Sequence, residues 1–390
     1  MLKRICIPII FALLPVLLTG CWNRRELNTL AIVKCVGIDR LPDGKISLAT
    51  EILKPGGIKK NSENGGGDSG SWIAISTGET VFDAVRNATF NSPRKLFWAQ
   101  DKVIIIGEEA AKMGIAPLLD IYDRNHERRR RAYVFIAKGK AQDIVEGKNE
   151  QEKVLGQAIE ELATTTGATS KIAKVNVHDL FKTLASKTSA PYIPGIEIMK
   201  KEKDDDGKNL IKLGGTAVFK KDKLIGWLDE TETRGVLWVL GKVSTGIIVV
   251  PSPLKQKGKV SLEIMRASSS IKPEFIDGKL VIIVMVKAEG NIAEQMSGGD
   301  LTTPEAFSQL EKEQDAAVEA EINAALAKGQ KQWRVDIFKF GDAVHREFPM
   351  EWKELEKKWD EEFPTLDVKV QVTTRLRRYG MRTMPEKTEE

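Results

Sequence analysis

Cysteine and histidine are scarce in this chain, and it has none of the common motifs built on them. The sequence of 390 residues has three cysteines and three histidines, His126, His178 and His345. None of the histidines has a second histidine or a cysteine at the spacing of a metal site, and no HExxH, CxxC, GxSxG or Walker A pattern occurs. We therefore expect no metal, no cofactor and no catalytic residues, and we interpret the protein as a non-enzyme.

A strong charge of one sign is also missing. The formal net charge is +5, and removal of the two cations Lys3 and Arg4 with an N-terminal signal leaves +3. This mild charge does not favour nucleic acid as a partner, which needs a strongly basic face, but it is compatible with a position near an anionic bilayer. The acidic run at 204–207 lacks the alternating acids and the distal glutamate of a calcium loop.

An apolar run at residues 5–18 opens the chain, and it is too short to span a bilayer, which takes about 20 residues. Lys3 and Arg4 precede this run and the small residues Thr19 and Gly20 follow it, so residues 1–20 are typical of a secretory signal peptide. The sequence LTGC at 18–21 resembles the lipobox of bacterial lipoproteins. That resemblance implies cleavage before Cys21 and a diacylglycerol thioether on its sulfur. The alternative is an ordinary signal peptide followed by an incidental cysteine.

With the lipid that the lipobox resemblance implies, the cysteine count excludes an intramolecular disulfide in the mature chain. Cys6 would leave with the signal peptide and Cys21 would carry the lipid, which leaves only Cys35. An exported chain without disulfides depends on its hydrophobic core for stability. Cys35 lies in an alternating strand pattern, and we expect a buried structural thiol there rather than a nucleophile.

The N-terminal part of the mature chain predicts an α/β region. It starts with a β-hairpin over 30–53, because two alternating segments flank the turn sequence LPDG at 41–44. A glycine-rich segment at 55–71 has no phosphate-binding pattern and is typical of a surface loop. Strands and helices then alternate: the predicted strands are 72–77, 101–109 and 132–139, and the predicted helices are 79–92, 114–127 and most of 141–162.

The C-terminal part predicts an α+β domain with an antiparallel sheet and three helices. A charge-rich segment at 199–212 follows Pro191 and Pro194, and we interpret it as the boundary between two domains. A second hairpin is predicted at 215–230. The segment 232–243 fits a helix or a strand. The predicted meander strands are 246–252, 258–275 and 278–294, the predicted helices are 303–329, 334–348 and 350–361, and the last strand is 366–376.

We therefore expect a mixed α/β and α+β fold of two or three domains. The expected divisions are a lipoprotein signal peptide at 1–20, an N-terminal region at 21–200, a linker at 201–212 and a C-terminal domain at 213–384.

A basic run precedes the strand predicted at 132–139. It consists of Arg128, Arg129, Arg130 and Arg131. These arginines are candidates for contact with lipid phosphates or with an acidic partner. They also fit a solvated helix end, where cations interact favourably with the C-terminal dipole.

Four segments of the chain resemble the Ger(x)C family of spore germination lipoproteins. The start of the mature chain, GCWNRRELNTLAIVKCVGID at 20–39, carries the lipobox, Arg-Glu-Leu and Gly-Ile-Asp of that family. The other segments are 96–139, 215–238 and 348–380, so the resemblance runs in order along essentially the whole mature chain. Asn23 stands where family members usually carry an acid, and the glycine-rich loop at 61–71 is longer than is usual in the family.

The resemblance implies a lipid-anchored subunit with no catalytic residues. Members of this family are the C subunits of nutrient germinant receptors, which lie at the inner membrane of spores with two integral membrane subunits, A and B. An alternative from another class is a solute-binding lipoprotein that serves a membrane transporter. That alternative predicts two similar α/β lobes around a cleft, whereas this sequence predicts two unlike halves.

Overall fold

The computed structural model describes residues 26–54, 70–147, 151–199, 210–254 and 258–379. The predicted signal peptide, Cys21 and most of the glycine-rich segment lie outside these ranges. The described residues form a nine-stranded sheet, a four-stranded sheet and helices packed on both. The prediction of a mixed α/β fold is confirmed.

The first sheet is built around parallel strands in its centre. Its order is β3-β2-β1-β5-β6-β7-β8-β9, with β4 paired to the beginning of β1. β1 and β2 form the predicted antiparallel hairpin, whereas β1, β5, β6 and β7 run parallel. The strands are Leu30–Arg40, Ile46–Leu53, Ser71–Gly78, Lys95–Phe97, Val103–Gly107, Tyr133–Ala137, Tyr192–Met199, Leu210–Lys220 and Lys223–Leu228 for β1 to β9.

Helices cover both faces of the first sheet, which explains the unbroken apolar run in β5. Every residue of β5 is buried: Ile104 and Ile106 belong to one core, and Val103 and Ile105 belong to the core on the other face. Strands with both faces covered are typically continuous hydrophobic runs. Cys35 is fully buried in the second core, as predicted. The helices are Val81–Asn87, Glu108–Met113, Ala116–Arg124, Ala141–Val145, Leu155–Thr165 and Val177–Leu184 for α1 to α6.

The first sheet continues past the segment predicted as a linker. The sequence analysis does not predict β7, because Pro191 and Pro194 suggested a break. Pro194 instead lies at a register shift between β7 and β8, where a strand tolerates proline. β8 and β9 form the hairpin predicted at 215–230, turning at Lys220 and Lys223. β8 begins inside the predicted linker, at Leu210, and β9 follows it in the same sheet. The proposed division into domains stays a prediction.

The second sheet contains the predicted meander. Strands β10 (Gly246–Pro251), β11 (Lys259–Ile276) and β12 (Lys279–Gln295) are antiparallel, and β13 (Asp367–Arg378) joins β12 in parallel. Helix α7 (Glu230–Val239) occupies the segment that fitted a helix or a strand.

The C-terminal helices were predicted with two errors. Helix α8 (Pro304–Leu326) starts as predicted, because the Thr303 hydroxyl accepts a hydrogen bond from the Ala306 amide. The helix predicted at 334–348 is shorter, α9 at Phe340–Glu347, because Lys339 has a left-handed conformation with φ 61°. The helix predicted at 350–361 is α10 (Pro349–Leu355) and α11 (Trp359–Glu362), with a 3-10 turn between them.

Candidate interaction surface at one edge of the first sheet

The parallel strands of the first sheet bring distant parts of the sequence to one edge. β4 and β5 each pair in parallel with β1, and β6 pairs in parallel with β5, so all four strands begin at the same side. The chain arriving from Cys21 enters β1 here, and the basic run enters β6 here. We call this the N-terminal edge and define its exposed members as Leu27, Arg94, Lys95 and Arg129–Arg131.

The structure separates Arg128 from the other three arginines. The Arg128 guanidinium lies 4.0 Å from the ring centroid of Trp98 and 4.9 Å from that of Tyr122. Its Nη1 donates to Asp101 Oδ2 at 2.8 Å and to the Tyr122 hydroxyl at 3.0 Å. Arg128 and Asp101 are both buried, so Arg128 holds the loop to the sheet and is not part of the exposed surface.

Burial dominates the electrostatics around this ion pair. It raises the pKa of Asp101, although Arg128 and the Tyr122 hydroxyl both favour the ionised carboxylate. Burial also raises the pKa of Tyr122 well above its usual value, so the phenol remains a hydrogen-bond donor to Asp101. Removing either member of a buried ion pair leaves an uncompensated charge, which typically costs about 3–5 kcal/mol.

Arg129, Arg130 and Arg131 are exposed on the loop that leads into β6. Arg130 forms an ion pair with Asp123 and lies 5.9 Å from the ring centroid of Phe181. Its carbonyl oxygen accepts a hydrogen bond from the His178 amide at 2.9 Å, which ties the loop to α6. Arg129 and Arg131 form no ion pair within the described ranges, and their charges face solvent.

The start of β4 adds further charge beside this loop. Lys95 pairs with Leu30 at the beginning of β1, and its Nζ lies 3.7 Å from Glu127 Oε1 on the basic loop. Arg94 is exposed and, like Arg129, has no ion pair among the described residues. Leu27 is 75% exposed in the 3-10 turn that precedes β1. An exposed leucine and several cations therefore lie toward the end of the sheet at which the chain enters β1.

Comparisons with known proteins identify the family of this chain. A family described as "Spore germination protein N-terminal domain" matches residues 23–198, and one described as "Spore germination B3/ GerAC like, C-terminal" matches residues 214–380. The chain is 30% identical to "Spore germination protein KC" of Bacillus subtilis (strain 168), over 99% of this chain and 98% of that protein. The chain belongs to the Ger(x)C family of spore germination proteins.

A second relative agrees with this assignment, and a solved structure agrees with the fold. "Spore germination protein B3" of Bacillus subtilis (strain 168) is 25% identical over 93% of this chain and 95% of that protein. The crystal structure of the GerBC protein matches 87% of this chain and 96% of that one, with a TM-score of 0.53 and 22% identity. At that identity the match supports the fold of this Ger(x)C chain and nothing further.

Other residues considered in the sequence have structural surroundings. His126, His178 and His345 are exposed, and the His345 ring stacks on Trp352 at 5.7 Å. Within the described residues, no three His, Cys, Asp or Glu side chains are placed to hold a metal ion. None of the helices in the described ranges is long and apolar enough to cross a membrane. Cys21 lies outside those ranges, and its lipidation stays a prediction.

Two buried carboxylates of this Ger(x)C chain were not identified from the sequence. Glu51 accepts hydrogen bonds from the Ser71 hydroxyl and from the Leu155 and Gly156 amides at 2.6–2.7 Å, so it caps α5. Glu321 pairs with Arg234 and accepts from Trp238 Nε1 at 3.0 Å. The partners of each carboxylate lie far away in the sequence. No local sequence motif therefore indicates that these carboxylates are buried.

Proposed function

We propose that this chain acts in spore germination as a lipid-anchored, non-enzymatic subunit of a nutrient germinant receptor. Its partners are integral membrane A and B subunits. In cells the protein lies at the outer face of the cell membrane, and in spores it lies at the inner membrane. The observation that carries the proposal is the end-to-end similarity to a spore germination protein, 30% identity over 99% of this chain.

The chemistry of the described residues supports a binding role rather than catalysis. Glu51 accepts hydrogen bonds from the Ser71 hydroxyl and two backbone amides, and Glu321 accepts them from an arginine and an indole, so both buried carboxylates are engaged by structural partners. The Cys35 thiol is fully buried, and burial raises its pKa well above the usual value, which opposes formation of a thiolate nucleophile. These groups serve the fold.

A solute-binding protein with two equivalent lobes fits this structure poorly. The first sheet has nine strands with a parallel centre, and the second has four strands of which three form a meander. Thermal-shift screening with amino acids and sugars tests the point directly, because a ligand at 100 times its Kd stabilises the folded state by about 2.7 kcal/mol. A large shift with one nutrient would favour the solute-binding alternative.

Cys21→Ala tests the anchor. We expect the variant to move from the membrane fraction to the soluble fraction and to reduce germination through this receptor, because no acyl chain holds it. Cys35→Ala is the matched control, since it removes a thiol that is buried in the fold. The fractionation is done in cells without the A and B subunits. Membrane retention of Cys21→Ala in those cells would refute lipid anchoring.

A further inference from the structure

The N-terminal edge of the first sheet has the position and charge of a membrane-facing surface. We propose that this edge, through Leu27, Arg94, Arg129 and Arg131, rests on the anionic lipid surface to which the chain is anchored, and so fixes the orientation of the folded body. The proposal rests on the anchoring proposed above. It adds a second contact with the bilayer and names the surface that makes it.

The length of the chain between the anchor and the sheet supports this position. β1 begins at Leu30, nine residues beyond Cys21, and an extended chain spans at most about 3.6 Å per residue. The beginning of β1 therefore lies within about 32 Å of the anchor. β4 begins level with Leu30, and β5 and β6 begin level with Cys35, five residues along β1. All three therefore begin toward the anchored end of β1, whereas the β1–β2 turn lies at its opposite end.

The charges at this edge are suited to lipid phosphates. Arg94, Arg129 and Arg131 have no ion pair within the described ranges, so they can approach an anionic surface without breaking an existing contact. Each cation near such a surface contributes about 1 kcal/mol, or about fivefold in a binding equilibrium. Three of them favour this orientation by about a hundredfold, and the contribution falls with salt because the Debye length is about 8 Å at 0.15 M.

An acidic protein segment is the competing occupant, and the geometry favours lipid. The edge combines three dispersed cations with an exposed leucine, and these residues come from three separate segments of the chain. A bilayer offers dispersed phosphates above an apolar interior, which matches that combination. The Arg128 guanidinium packs against the rings of Trp98 and Tyr122 and fixes the loop. The neighbouring Arg129 and Arg131 remain exposed.

Energy transfer from the protein to labelled lipid headgroups tests the orientation. The lipidated full chain is placed on phosphatidylglycerol-containing vesicles, with a donor dye on His126→Cys, in the basic loop, or on Pro42→Cys, in the β1–β2 turn. Both positions are exposed, and the buried Cys35 is not labelled. The 11 residues of β1 separate the two ends of the sheet by about 36 Å, a difference that energy transfer resolves.

We expect stronger transfer from position 126 than from position 42, and loss of that difference on phosphatidylcholine vesicles. The same loss is expected for Arg94→Gln/Arg129→Gln/Arg131→Gln. Equal transfer from both dyes, or an undiminished difference in the triple variant, would overturn the proposal. Vesicle flotation keeps the two proposals apart, because a chain that does not float refutes the anchor, whereas one that floats without orientation refutes only the membrane-facing edge.

Discussion

The buried carboxyl group of Asp336 should make the free energy of unfolding decrease as the pH rises. Its carboxylate is buried and accepts four hydrogen bonds, from the amides of Phe338, Phe340 and Gly341 and from Trp359 Nε1. Burial raises the pKa of Asp336 to about 6, although these hydrogen bonds oppose the shift. The loop around it also joins the two halves of the fold, since the Asp336 carbonyl accepts from the Ala190 amide at 2.8 Å.

The sign and size of the effect follow from proton linkage. An unfolded aspartate has a pKa of about 3.9, so between pH 4 and pH 6 the folded state holds a proton that the unfolded state has lost. The free energy of unfolding therefore decreases as the pH rises through this range. A difference of about 2 pKa units at about 1.36 kcal/mol each gives a loss of about 3 kcal/mol between pH 4 and pH 7.

Urea unfolding of the wild type and of Asp336→Asn between pH 4 and pH 7 measures this contribution. The asparagine does not titrate. The free energy of unfolding of the wild type, relative to that of the variant, should therefore decrease by about 3 kcal/mol from pH 4 to pH 7. Trp359→Phe removes one donor to the carboxylate and should move the loss to higher pH. A difference between the wild type and Asp336→Asn that stays constant with pH would refute the reasoning.

Two further predictions concern the contact between α7 and α8. Gly235→Ala should destabilise the fold even though alanine favours a helix by about 1 kcal/mol, because the new methyl group would collide with the Glu321 carbonyl oxygen; a raised melting temperature would contradict the contact. Arg234→Met should lower the free energy of unfolding by about 3–5 kcal/mol, because it leaves Glu321 buried without its cation. Arg234→Met/Glu321→Leu should recover part of that loss in urea unfolding, and a single variant as stable as the wild type would exclude the pair as a structural contact.

The sequence predicts best those elements that are specified by local patterns, such as turn residues, helix caps and the alternation of apolar residues. The hairpin around Leu41–Gly44 is found because its turn residues and its alternating strands agree. The start of α8 is found because Thr303 and Pro304 are a cap and a first helical residue. The strand at 101–109 is found because of its continuous apolar run. In each case the deciding residues lie within one turn or one strand.

Elements held by distant partners escape such reasoning. β7 contains Pro194, which suggests a break, and only its pairing with β6 and β8 makes it a strand. Glu51 reads as a solvated strand residue, yet it caps a helix about a hundred residues later in the chain. Lys95 belongs to the N-terminal edge only because β4 pairs in parallel with β1. The strand order decides these positions, and no local pattern encodes it.

The four consecutive arginines show how a uniform sequence acquires different roles. Arg128 follows a turn in which the Asn125 carbonyl accepts from its amide at 3.1 Å, and this turn directs its side chain toward Trp98 and Asp101. The next three residues then face outward at the edge where β6 begins. Arg128 is fixed by an ion pair and two aromatic rings, so the loop that carries the exposed cations is attached to the folded body. The membrane-facing edge that we propose uses both parts, the buried arginine for position and the exposed ones for charge.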